Sequence, residues 1–218
     1  MLNWTYQVHI CAFLDNHQYQ GQHHSYECLL GVGALHRLEC NAGNAFEQLQ
    51  QMQEKHGDWL FGHLGYDLKN ELFPLTSEHP DPIGFADMFF FVPEVVILLG
   101  KEAIHIGIHG DDHAKLWDAI VSQPLAGWMG VQSPFQTWQR LSKPEYIGII
   151  EQLKHHILRG DCYEINFCQQ FYGENVKLIP LRLYEELCYT SPNPFSAYYK
   201  CVDKYLICAS PERYLRMD

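Results

Sequence analysis

A strongly marked helix between residues 142 and 160 constrains the fold of this chain more than any other feature. Ser142 and Glu145 have the spacing of a capping box, and Pro144 stands in the first turn. Gly160 supplies a residue that readily ends a helix in the left-handed conformation. Apolar residues recur between these limits at the helical period, namely Tyr146, Ile149, Ile150, Leu153 and Ile157. The sequence therefore predicts an amphipathic helix that ends at Gly160.

Directly after Gly160 the pattern changes to the period of a β-strand. Alternate positions form two sets, Tyr163, Ile165, Phe167 and Gln169 against Cys162, Glu164, Asn166 and Cys168. This alternation predicts a strand over residues 162–169. Apolar runs on either side of short turns predict two hairpins, one over residues 88–108 and one over residues 196–209.

Three further local signals are clear. Asn44 and Gly57 bracket a helical pattern, with Asn44 as the predicted N-cap. Gly62 lies in an apolar run and predicts a strand that another backbone approaches closely. Residues 180–188 predict a helix whose inward positions are Leu183, Tyr184 and Leu187.

Composition excludes several classes of function. The 218 residues include 15 basic and 26 acidic side chains, a formal charge of -11, which argues against a nucleic-acid partner. No apolar run approaches the 20 or so residues of a membrane span, and the N-terminus lacks the pattern of a signal peptide. Eight cysteines occur without a C-x-x-C pair. We therefore expect a cytoplasmic protein with reduced thiols and no membrane association.

The histidines do not predict a metal centre. There are 13 of them, but none falls in an H-E-x-x-H spacing or in an H-x-H pair with an acidic partner. Glycine-rich phosphate loops and nucleophilic serine elbows are also missing from the sequence. We therefore assign no metal ligand from the sequence.

Three segments, in order, carry a resemblance to a known family. Residues 160–171 read GDCYEINFCQQF, residues 193–198 read NPFSAY, and residues 210–213 read SPER. They resemble motifs of chorismate-utilising enzymes, in which the first reads G-D-x-Y-Q-V-N-L-x-Q-R-F. The chain departs from that pattern at Glu164, where a glutamine is usual, and at Gln170, where an arginine is usual.

The resemblance implies a fold and a division into domains. The family has an α+β fold in which antiparallel β-sheets pack face to face with helices outside. Residues 1–139 would form the N-terminal domain, and residues 140–218 would begin the chorismate-binding catalytic domain. The family's catalytic lysine and its magnesium-binding glutamates follow the third motif, so we expect a truncated catalytic domain and no activity from residues 1–218 alone.

The resemblance also implies a reaction. The NPFSAY segment is more similar to component I of aminodeoxychorismate synthase than to the N-P-S-P-Y-M of anthranilate synthase. The former converts chorismate and ammonia into 4-amino-4-deoxychorismate, with Mg²⁺ as cofactor and a glutaminase partner as the source of ammonia. Two alternatives stay open: anthranilate synthase component I, and a non-catalytic fragment that binds a glutaminase or an aromatic amino acid.

Glu212 is the catalytic residue that the resemblance implies. From the sequence alone, a glutamate in SPER is an ordinary carboxylate at a turn, paired with a nearby arginine. In the family the matching glutamate is an acid/base that assists departure of the C4 hydroxyl of chorismate. Hydroxide is a poor leaving group, so donation of a proton lowers the barrier.

The resemblance further implies a binding site for tryptophan. In relatives, the segment matching residues 194–196 binds tryptophan against a wall from the N-terminal domain. The alternative is a purely structural role, in which a rigid proline turn sets the direction of the next strand. The predicted tryptophan-binding residues are Asn16, His23, His24, Ser25, Tyr26, Pro194, Phe195 and Ser196.

Overall fold

The computed structural model describes residues 1–19, 26–77, 79–124 and 135–217. The chain divides into two compact units. The first combines Met1–Trp128 with Ile179–Asp218, and the second is Met129–Leu178. The units therefore follow a different division from the sequence-based domains 1–139 and 140–218, which stay a prediction.

The described residues form helices and strands with the following bounds. The helices are α1 (Leu2–Thr5), α2 (Ala45–His56), α3 (Lys69–Leu72), α4 (His113–Val121), α5 (Lys143–Arg159) and α6 (Pro180–Thr190). The strands are β1 (Ile10–Asp15), β2 (Cys28–Val32), β3 (His36–Cys40), β4 (Phe61–Leu64), β5 (Met88–Val92), β6 (Val95–Leu99), β7 (Ile104–Ile108), β8 (Trp138–Gln139), β9 (Phe171–Tyr172), β10 (Phe195–Cys201) and β11 (Lys204–Ser210). None of these helices has the length and apolar character needed to span a membrane.

The first unit is built on a six-stranded antiparallel sheet of order β11-β10-β1-β2-β6-β7. The predicted hairpin near the end of the sequence forms β10 and β11. It joins the first strand of the chain, with Phe13 opposite Tyr198. Strands from the two ends of the sequence are therefore neighbours, which explains why Ile179–Asp218 shares a unit with the N-terminal residues.

A second sheet of three strands, in the order β3-β5-β4, packs face to face against the large sheet. Ile10 and Ala12 point from β1 into the space between the sheets. They meet Phe61, Phe89 and Phe91 from β4 and β5, and all five side chains are buried. This arrangement confirms the predicted α+β fold with antiparallel sheets packed face to face.

Helices cover the outer faces, as predicted. Ile120 of α4 and Leu181 and Tyr184 of α6 pack with Phe13 on the far face of the large sheet. Tyr184 of α6 is buried as predicted, but Leu183 is exposed and Leu181 is buried in its place. Residues three apart share a helix face, so the pair Leu181 and Tyr184 defines the buried stripe.

Helix α2 starts at the predicted place but is capped by a different residue. Asn44 occupies the N-cap position, yet its side chain makes no bond to the helix N-terminus. The Glu71 carboxylate instead accepts N–H bonds from Gly43, Ala45 and Phe46 at 3.0, 2.8 and 3.3 Å. A carboxylate from α3 thus satisfies donors that a helix start leaves without partners.

We expect Glu71→Gln to lower the melting temperature at pH 7 by a few degrees, since a neutral amide accepts these bonds more weakly. The N–H bonds, that of Gly43 foremost, lower the pKa of Glu71. A carboxyl whose pKa is lower in the folded state stabilises the fold at pH values above its unfolded pKa of about 4.3. That contribution is lost as the pH falls through the pKa of the folded state.

The difference in melting temperature between wild type and Glu71→Gln should therefore shrink as the pH falls from about 5 to about 3. Thermal unfolding followed by circular dichroism measures it. Glu54→Gln, an exposed change later in α2, is the matched control. A difference that is constant with pH would contradict the capping role.

The second unit consists of α5 with the short β8–β9 pair. The capping box of Ser142 and Glu145 is present, and Gly160 ends α5 with φ 88°, so both predictions are confirmed. The predicted strand over residues 162–169 is wrong, because these residues form no regular strand and β9 begins only at Phe171. Along that segment no described strand supplies hydrogen-bond partners, and alternation alone cannot hold an extended backbone.

Candidate functional site

A cavity of ≈ 420 Å³ lies at one end of the large sheet, where β1, β2 and β10 meet. Five of the predicted tryptophan-binding residues line it together, namely Asn16, Tyr26, Pro194, Phe195 and Ser196. His23, His24 and Ser25 lie outside the residues that the structure describes. The structure thus brings together residues about 180 positions apart in the sequence.

The sequence analysis missed other residues of the cavity wall. Asp15, Glu27 and Arg213 bring charge, and apolar surface comes from Leu14, Leu29 and Leu215. Asp15 ends β1 and pairs across to Ser196 of β10, so its place follows from strand register. Arg213 directly follows Glu212 in the SPER segment, and that adjacency was the one signal available in the sequence.

Phe195 and Arg213 form one wall of the cavity as a stacked pair. The guanidinium carbon of Arg213 lies 5.2 Å from the centre of the Phe195 ring. A cation within about 6 Å of an aromatic face is attracted by the ring quadrupole. The contact holds a positive charge at a largely apolar wall.

Asn16 lines the cavity wall, but its side-chain amide forms hydrogen bonds with the backbone. Its Nδ2 donates to the carbonyl of Tyr26 at 2.9 Å, and its Oδ1 accepts from the N–H of Gln18 at 2.8 Å. The side chain is buried. Asn16 therefore ties together the two sides of the loop that follows β1.

Ser196 is held in the same way at the floor of the cavity. Its hydroxyl donates to the carbonyl of Asp15 at 3.0 Å, so the Tyr184 hydroxyl, also 3.0 Å away, donates to Ser196. Burial raises the pKa of Tyr184. Burial, with the nearby Asp15 second, raises the pKa of Cys28 to about 12, so this thiol in the wall stays neutral. The floor is a fixed, uncharged surface.

Glu212 lies just beyond the end of β11 and is exposed. Its N–H donates to the Ser210 hydroxyl at 3.3 Å, and that hydroxyl donates to the Glu212 carbonyl at 3.0 Å. Glu212 does not line the cavity, but Arg213 does. The backbone of the predicted acid is thus held locally beside the cavity wall.

Residues 11–218 match the family described as chorismate binding enzyme. The chain belongs to this family. It is 27% identical over 191 residues to anthranilate synthase component 1 of Thermus thermophilus, covering 79% of this chain and 41% of the relative. It is 23% identical over 175 residues to aminodeoxychorismate synthase component 1 of Klebsiella aerogenes, covering 78% and 38%.

A solved structure supports the fold of this chain. The crystal structure of anthranilate synthase component I from Streptococcus pneumoniae TIGR4 superposes with a TM-score of 0.70 at 20% identity. The match covers 89% of this chain and 54% of the other. The chain therefore spans about half the length of that structure and about two fifths of the curated relatives.

The family resemblance implies magnesium, but the described part of the chain contains no cluster of side chains that could bind it. No group of three or more His, Cys, Asp or Glu side chains there could hold a metal ion. All eight cysteines are free thiols. Glu212 stays the catalytic residue that the resemblance implies, and we derive no step through a metal.

Proposed function

We propose that this protein is component I of an aminodeoxychorismate synthase. Anthranilate synthases belong to the same chorismate-binding family. The NPFSAY segment at residues 193–198 is the feature that favours aminodeoxychorismate synthase over anthranilate synthase. Its Phe195 supplies the aromatic wall of the cavity, stacked under Arg213, where N-P-S-P-Y-M offers a serine. Chorismate would be the substrate and 4-amino-4-deoxychorismate the product, with ammonia from a glutaminase partner and Mg²⁺ as cofactor.

In the proposed mechanism, Glu212 donates the proton that makes the C4 hydroxyl of chorismate leave as water. Without that proton the leaving group would be hydroxide, so the acid lowers the barrier of the difficult step. The exposed position of Glu212 leaves its carboxyl accessible to a substrate. The bonds between its backbone and Ser210 limit where that carboxyl can lie.

Anthranilate synthase component I is the second candidate function. The relative from Thermus thermophilus bears that name, and it matches this chain at 27% identity, slightly above the 23% of the aminodeoxychorismate synthase relative. Both enzymes take chorismate, so their products distinguish them.

The deciding experiment uses the polypeptide encoded by the whole reading frame that contains this sequence. It is incubated with chorismate, ammonium and magnesium, and the products are separated and identified by mass spectrometry. We expect 4-amino-4-deoxychorismate. Anthranilate would replace the first candidate by the second, and a folded protein that consumes no chorismate would favour a non-catalytic binding module.

We also propose that the cavity binds an aromatic amino acid such as tryptophan. Leu14, Leu29 and Pro194 offer apolar surface to an indole ring. Arg213 can meet the ligand's carboxylate, while Asp15 offers negative charge to its ammonium group. A volume of ≈ 420 Å³ is within the usual range for a small ligand.

Phe195→Ala should weaken tryptophan binding by about fivefold, because an aromatic contact of this kind contributes about 1 kcal/mol beyond its area. Isothermal titration calorimetry with L-tryptophan measures the change. Phe73→Ala removes an exposed ring elsewhere in the first unit and is the control. Tryptamine, which lacks the carboxylate, should bind less well than tryptophan. Equal affinity of wild type and Phe195→Ala for tryptophan would show that the cavity is not the binding site.

A further inference from the structure

The segment that carries Glu212 is folded back onto Phe195. Strand β11 ends at Ser210, which pairs across the ladder with Phe195 of β10. The chain then turns, and Arg213 returns to place its guanidinium 5.2 Å from the Phe195 ring centre. Leu215, two residues later, lines the same cavity as Phe195. Phe195 is therefore contacted from both ends of this turn.

Glu212 lies between the two anchors of the turn. On one side its backbone is bonded twice to the Ser210 hydroxyl, and on the other side Arg213 stacks on Phe195. The Glu212 side chain is exposed and is not packed into a core of its own. Its position is consequently set by the anchors, and Arg213 is the anchor that reaches the cavity wall.

We infer that Arg213 is a positioning residue for Glu212, which it holds in place by stacking on Phe195 at the cavity wall. The inference rests on the proposed acid role of Glu212. The position of the Glu212 carboxyl then depends on the stacked pair of Phe195 and Arg213, which a ligand in the cavity would contact. A displacement of about 1 Å in a catalytic group can cost on the order of a hundredfold in rate.

Kinetics of the polypeptide from the whole reading frame test the inference, with chorismate and ammonium as substrates. Arg213→Gln should lower kcat about tenfold and leave KM for chorismate within about twofold, because the acid is displaced while the substrate still binds. Phe195→Leu should lower kcat to a similar extent and likewise leave KM nearly unchanged. Phe195→Tyr, which keeps the ring, should retain most of the rate, and Arg213→Lys should retain part of it.

The double variant Arg213→Gln with Phe195→Leu shows whether the two residues act through one shared contact or lower kcat independently. If the residues act through their mutual contact, the double variant is no slower than the slower single variant. Multiplicative losses in kcat would overturn the inference. Arg37→Gln removes an exposed arginine of β3 and should leave kcat unchanged.

Amide hydrogen exchange of the 218-residue chain provides a readout that needs no catalysis. Arg213→Gln and Phe195→Leu should each speed exchange of the Glu212 amide by about tenfold, corresponding to about 1.4 kcal/mol of lost local stability. Arg37→Gln should not change it. Unchanged exchange in Arg213→Gln would overturn the inference even if chorismate is aminated. If the wild type aminates no chorismate, the proposed function fails, and exchange still decides whether Arg213 fixes the turn.

Discussion

Glu212→Gln should lower kcat for chorismate amination by about a thousandfold in the polypeptide from the whole reading frame, the middle of the range for loss of a general acid. Glutamine keeps the size and hydrogen-bonding shape of the side chain but cannot donate the proton that turns hydroxide into water. The backbone bonds to Ser210 do not involve the carboxyl, so the turn should stay intact. KM for chorismate should change little, since the proton transfer acts on the transition state.

The control for this prediction is Glu102→Gln, which makes the same change at an exposed position in the turn between β6 and β7. Melting temperatures of both variants should match the wild type. Steady-state rates with ammonium as the nitrogen source give kcat and KM without a glutaminase. If Glu212→Gln keeps more than about a tenth of the wild-type rate, Glu212 is not the acid.

Gly62→Ala should destabilise the first unit by about 3 kcal/mol, at the upper end of the cost of overpacking. A Cβ atom on Gly62 would stand 1.9 Å from the carbonyl oxygen of Phe89 and 2.8 Å from the Cα of Phe90. Both are backbone atoms of β5, to which β4 is paired. The strands would have to separate, and Phe61 and Phe89 would leave their packed positions between the sheets.

Urea unfolding followed by circular dichroism measures the loss, and Gly107→Ala is its matched control. Gly107 lies in β7, in the same unit, and the nearest atom to its added Cβ is 3.9 Å away in Val96. That change should stay within about 0.5 kcal/mol of wild type, as is usual for a surface position without a special role. Similar effects for the two substitutions would show that the β4–β5 contact is not tight.

Local signals in the sequence were sufficient wherever the interacting groups are close along the chain. The capping box of Ser142 and Glu145 spans three residues, and Gly160 ends α5 through its own backbone freedom. The capping box and the end of α5 depend on propensity and short-range hydrogen bonds, which each segment carries with it. Gly62 also marks a close backbone approach as predicted, but its partner β5 is distant in the sequence and was identified only in the structure.

The same kind of reasoning failed where a distant partner decides the outcome. Residues 162–169 alternate like a strand, but a strand needs a neighbour to pair its N–H and C=O groups, and none of the described strands pairs with this segment. Asn44 has the right residue type for an N-cap, but the Glu71 carboxylate reaches the same donors and takes its place. Competition of this kind is not visible in a single segment.

Motifs and local patterns in the sequence were enough to assign the chain to its family, to bound α5 and to name five residues of one cavity wall. The packed fold was needed to show that β1 lies between β10 and β2, that Asp15 and Arg213 join that wall, and that Arg213 stacks on Phe195. Sheet order and register are not local properties, because they are fixed by burying apolar faces of strands far apart in the chain. Residues about 180 positions apart become neighbours only when β10 pairs with β1 in the large sheet.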